Sequence, residues 1–85
     1  MHYVFIIYSK TLKQFYTGNT PNLDILLKEQ NCGRNSDTRR GIPWILVYSE
    51  SFLSQNEAAE TELRIREKGA GGFLKDMGVI IPDVL

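Results

Sequence analysis

Three arginines within a short stretch, Arg34, Arg39 and Arg40, meet only Asp37 as an opposing charge. Guanidinium groups offer several donors in a fixed fork, which suits phosphate oxygens. The stretch therefore reads either as a phosphate-holding loop or as a solvated one, and convergence with Lys28 or Arg64 on one face would separate the two. Arg64, Arg66 and Lys68 form a second basic group further along. Tyr16 stands two residues before Gly18 in a strand-like run. Glycine weakens a strand and marks close approach by another group, whereas most strand tyrosines are amphipathic aromatics with the hydroxyl at the surface. Glu62 precedes Arg66 by one helical turn, an ion-pair spacing worth about 0.2–0.5 kcal/mol. His2 and Cys32 have no partners at metal-ligand or catalytic spacing, and one cysteine excludes an intramolecular disulfide.

Ten basic and ten acidic residues cancel, whereas a domain gripping duplex DNA through many phosphates carries a positive excess. The basic groups are local. With 42% apolar and 24% charged residues, the composition is that of an ordinary globular protein. A chain of 85 residues makes one domain, residues 1–85, able to bury only about 60% of its unfolded surface. The longest apolar run, Tyr3 to Tyr8, is too short to span a bilayer. Met1-His2 leads straight into a strand without a basic leader or cleavage site, so the expected setting is cytoplasmic.

These residues need a frame. Residues 2–8 alternate Tyr3, Phe5 and Ile7 with Val4, Ile6 and Tyr8, apolar on both faces, which predicts a central strand. Residues 14–19 return antiparallel after a polar turn. Thr20-Pro21 reads as a helix start, with Leu23, Leu26, Leu27 and Gln30 on one face and Gly33 at the end. Residues 33–42 read as a polar loop, and residues 43–50 as a third strand with Pro43 first. Ser54 and Glu57 form a capping box for a helix running to about Lys68. Gly69 to Gly72 reads as a break, and residues 73–85 as an apolar tail packing back on the body. The order β-β-α-β-α gives an α+β fold, a small three-stranded antiparallel sheet flanked by helices.

Taken in order, YVFIIYS, FYTGNT, NLDILLKEQN, TRRGIPWILVY and NEAAETE resemble the small stand-alone domains of the GIY-YIG nuclease superfamily, across roughly residues 3–66. The resemblance implies metal-dependent cleavage of DNA phosphodiesters, of the type in the N-terminal domain of excinuclease C, a DNA-repair component. It also implies Mg²⁺ or Mn²⁺, since hard oxygen ligands suit such ions. In the family, two strand tyrosines, a helical arginine and histidine, and a metal-binding glutamate form the site.

Carried onto this chain, the first tyrosine position is Phe5 and the second is Tyr16, with Gly18 kept. The arginine position is Leu26 and the histidine position Gln30. The glutamate is retained as Glu62, and Pro43-Trp44 opens the third strand as in the family. Leucine cannot stabilise developing phosphorane charge, and losing one such donor costs about 10²–10³ in rate. The resemblance thus predicts a degenerate site with weak or lost activity. Two other readings stand beside it: a noncatalytic nucleic-acid-binding module using Arg34, Arg39 and Arg40, and a protein-interaction domain, such as a homodimer through the Ile25/Leu26 face.

Overall fold

The apolar double face of the first strand sets the architecture. In the computed structural model, which describes residues 1–79, β1 is His2–Ser9 and every residue from Val4 to Tyr8 is buried, with Ser9 beside them. It lies between β2, Gln14–Thr20, and β3, Trp44–Phe52, in the order β2-β1-β3 with both pairings antiparallel. The central position supplies the cover that both faces require.

The alternation of β1 divides the core in two. Val4, Ile6 and Tyr8 pack with Ala58 and Ile65 of α2, Gln55–Lys68, and with Leu74 of α3, Ala70–Asp76. Phe5 and Ile7 pack on the other face with Trp44, and with Leu23, Leu26 and Leu27 of α1, Leu23–Asn31. The result is an α+β fold with an open three-stranded sheet and helices on both faces.

Local structure departs from the sequence reading at four places. Thr20 is not the helix cap, because it still pairs with Tyr3 in the β1–β2 ladder. Asn22 takes that role, its Oδ1 accepting from the Ile25 amide at 3.1 Å. The third strand starts at Trp44 rather than Pro43, runs on to Phe52, and bulges at Val47, where Ile6 faces Tyr48 but Ile7 faces Leu46. The break after α2 is Gly69 alone, at φ 92°. Ala70, Gly71 and Gly72 form the first turn of α3, held by burial of Leu74 and packing of Phe73 rather than by propensity. Finally, residues 33–42 are more ordered than a polar loop, with a 3₁₀ turn at Arg39–Gly41 and a buried Thr38. Val79 packs against the α2-side core, while the rest of the expected apolar tail, residues 80–85, lies outside the described residues.

Candidate active site

The positions singled out in the sequence fall on two sides of the sheet. Phe5, Tyr16 and Leu26 come together on the α1 side. The Tyr16 ring lies 6.2 Å from that of Phe5 at an interplanar angle of 24°, and edge-on to Trp44 at 6.4 Å. Phe5 is buried, and Leu26 packs partly buried against it with Leu23 and Leu27. The site position expected to hold a cation is therefore part of an apolar cluster. Ile25, beside it, is 54% exposed, so only one half of the Ile25/Leu26 face is open to solvent.

Gly18 stands opposite Phe5 in the ladder. A Cβ built there would come within 2.8 Å of Phe5 Cζ. A glycine at this place in a strand predicts close approach, and the approaching group is an aromatic ring rather than a backbone.

Gln30 is buried, and its Oε1 accepts from the Thr38 hydroxyl. It holds the loop instead of facing an open site. The neighbouring Asn31 clamps Trp44 at two points, its Oδ1 accepting from the Trp44 amide at 2.6 Å and its Nδ2 donating to the Trp44 carbonyl at 3.1 Å. Trp44 Nε1 donates to the Thr38 carbonyl at 2.8 Å. Of the loop arginines, Arg39 donates through Nε to the Gly33 carbonyl at 3.0 Å, satisfying an acceptor just past the end of α1. Arg34 and Arg40 are exposed and make no ion pair among the described residues.

Glu62 sits on the α2 side, mostly buried, with its side chain 16% exposed. Its Oε1 accepts from Asn19 Nδ2 at 2.5 Å, and its Oε2 pairs with Arg66 Nη2 at 2.8 Å. The same Nη2 donates to the Thr17 carbonyl at 2.7 Å, tying α2 to the outer strand β2. Arg66 then lines a groove of about 480 Å³ along β2, together with Gln14, Phe15, Tyr16, Thr17 and Ala70. Tyr16 borders that groove on the outer strand, but its ring packs on the opposite, α1 side with Phe5 and Trp44. Arg64 lines a different cavity, with Tyr48, Glu50 and Phe73. Two helical positions differ by about 200° around the axis, which sends the two arginines to opposite sides of α2. The i,i+4 spacing gave the Glu62–Arg66 pair, but no local signal could give the Thr17 contact across the fold.

Among the described residues, Tyr48 has a shifted ionisation: burial, reinforced by the hydrogen bond to Glu50, pushes its phenol from 10.0 up to about 12.

The fold and this arrangement have a counterpart in sequence. The family model for the GIY-YIG catalytic domain matches residues 1–70, and the chain belongs to that family. UPF0213 protein SH2523 of Staphylococcus haemolyticus is 36% identical over 66 residues, covering 76% of this chain and 79% of its own. UPF0213 protein OB0043 of Oceanobacillus iheyensis is 33% identical over 67 residues, 78% and 77% of the two chains. A third relative, UPF0213 protein VNG_2274C of Halobacterium salinarum, is 35% identical over 68 residues, 79% and 87%. No solved structure matches the chain significantly.

GIY-YIG nucleases typically depend on a divalent metal. The residues here do not fit one as they are arranged. Both Glu62 oxygens are engaged, one of them by a guanidinium standing where a cation would have to approach. Among the described residues no three His, Cys, Asp or Glu side chains gather as a metal site. No helix among them is long and apolar enough to cross a membrane.

Proposed function

We propose that this GIY-YIG domain engages nucleic acid and that the inherited metal-dependent cleavage of DNA phosphodiesters is weak or lost. The observation that carries this reading is Leu26, packed with Phe5, Trp44, Leu23 and Leu27 at the position where the family's arginine stands. A preorganised cation aimed at developing charge is among the largest single contributions to such a reaction, and Leu26 cannot supply one. Phe5 lacks the hydroxyl of the first tyrosine, and Gln30 spends its carbonyl on Thr38. Members of one catalytic unit fail together, so these losses do not sum.

Nucleic-acid engagement rests on the family and on exposed guanidinium groups. Arg34 and Arg40 are exposed beside the sheet, and Arg66 faces the β2 groove. The interaction-domain reading through the Ile25/Leu26 face draws less support, since Leu26 is partly buried against Phe5 and Ile25 is the exposed one of the two.

The test is nicking of supercoiled plasmid with Mg²⁺ or Mn²⁺ by the wild type, Glu62→Gln and Tyr16→Phe. The expected result is no metal-dependent nicking by any of them, with all three folded. Nicking by the wild type that both variants lose would overturn the reading and show a working nuclease built on Tyr16 and Glu62.

A further inference from the structure

Charge in this chain cancels in sum but not in space. The β1–β2 turn, Lys10 to Lys13, and the loop from Gly33 to Ile42 carry five of the ten basic residues and one of the ten acidic ones, Asp37. The rest of the chain is left with five basic and nine acidic residues. We propose that this basic end of the sheet is the nucleic-acid site, and that Lys10 and Lys13 act there with Arg34, Arg39 and Arg40 to grip the phosphate backbone of a duplex. This rests on the nucleic-acid reading above and assigns its site and its ligand.

Topology brings the two segments together. Ser9, the last residue of β1, pairs with Trp44, the first of β3, so the turn and the end of the loop leave the sheet side by side. Thr11 Oγ1 donates to the Ile42 carbonyl at 3.4 Å, and a Cβ built on Gly41 would stand 3.0 Å from Ser9 Oγ. The same Ser9 Oγ accepts from the Leu12 amide at 3.0 Å, which fixes the turn. The loop is fixed as well. Thr38, just before the two arginines, is buried and held by Gln30 and by Trp44 Nε1. Arg39 Nε donates to the Gly33 carbonyl, which returns the backbone of Arg34 to Arg39. All five basic residues are exposed, and none makes an ion pair among the described residues.

Lys13 adds an independent mark. Its φ is 55°, in the left-handed region where a Cβ is unfavourable and glycine is the usual occupant. A lysine there gives the turn a charge where glycine would fit with less strain. The ligand class follows from what this end holds and lacks. Neither segment contains an aromatic residue, and the neighbouring Trp44 is buried. Single strands are gripped with the help of stacking platforms, whereas cations alone meet only the charge of the backbone. That charge is densest on a duplex, about one phosphate per 1.7 Å of axis. Binding is therefore expected to be independent of sequence and to favour a duplex over a single strand.

The experiment is fluorescence anisotropy with a short labelled DNA duplex of arbitrary sequence, in EDTA, over a salt series, with the unpaired strand as competitor. The turn pair, Lys10→Gln with Lys13→Gly, is expected to weaken binding and lower the salt slope by about 1.8, the value for two duplex phosphates. The loop pair, Arg39→Ala with Arg40→Ala, should lower it by a similar amount. Lys75→Gln, which removes a charge from α3, should leave the slope unchanged. Lys13→Gly alone should weaken binding without lowering the melting temperature, because glycine relieves the turn. Thermal unfolding of the other variants separates lost contact from lost fold.

A slope lowered by the loop pair but not by the turn pair would overturn this inference and leave the nucleic-acid reading standing. A slope lowered per charge as much by Lys75→Gln would do the same, by showing a response to net charge instead of a site. Tighter binding of the unpaired strand than of the duplex would overturn the choice of ligand. No binding of either by the folded wild type would overturn both the inference and the reading on which it rests.

Discussion

Phe5 and Gly18 face each other across the β1–β2 ladder, and the ring occupies the space a Cβ at Gly18 would need. Phe5 is buried between Ile7, Trp44 and Tyr16 and has little room to turn away. Gly18→Ala is therefore expected to destabilise by about 1–3 kcal/mol, the usual cost of overpacking, read as a lower urea midpoint at unchanged slope. Tyr48 gives a second residue-scale test. Its phenol, raised from 10.0 to about 12, stays protonated in the folded protein at pH values where an unfolded chain has lost the proton. Its stabilising contribution is thus fully present below pH 10 and is lost as pH rises through about 12. The ultraviolet titration of wild type minus Tyr48→Phe should be centred near pH 12. A centre at the ordinary tyrosine value would show that in solution the phenol is neither buried nor bonded to Glu50 as it is here.

At the scale of elements, the tie between α1 and the sheet is Asn31. Its amide bonds both backbone groups of Trp44, which joins the end of α1 to the start of β3. Asn31→Ala would leave the buried Trp44 N–H without a partner, at a cost of about 1–3 kcal/mol. Amide exchange at Trp44 should accelerate more than exchange at the centre of β1. The elements themselves were largely legible because their patterns are strong. The double-faced apolar run of β1 announced a central strand, and Ser54 with Glu57 marked the start of α2, where the Ser54 hydroxyl accepts from the Glu57 amide. What was not legible depended on competition between neighbours. Thr20 and Asn22 are both good caps, and strand pairing claimed the first. Gly71 and Gly72 oppose a helix by propensity, and Leu74 burial overrode them. The role of Gln30 was hidden because Thr38 reaches it only through the fold of the intervening loop.

For the whole molecule, the sheet separates the positions proposed as a degenerate catalytic site. Phe5, Leu26 and Tyr16 belong to the α1-side cluster, while Glu62 is held by Asn19 and Arg66 on the α2 side. Both halves border the outer strand β2, with the Tyr16 ring on one face of the sheet and Arg66 on the other. Tyr16 and Glu62 were proposed from the sequence as survivors of that site; that Glu62 has its own cation was readable only as a spacing. This division makes a prediction about restoring activity. Phe5→Tyr, Leu26→Arg and Gln30→His together would put on the α1 side the polar groups that the family resemblance implies there. The new arginine must enter among Leu23, Leu27 and Trp44, and the new histidine removes the acceptor of the Thr38 hydroxyl. Both changes cost stability, by the penalties of burying unpaired polar groups. The triple variant is expected to melt lower than wild type and still to show no Mg²⁺-dependent nicking, because Glu62 remains paired with Arg66. Nicking by the triple variant would locate the loss in the α1 side alone and mean that Glu62 releases Arg66 when a metal and a phosphate arrive together.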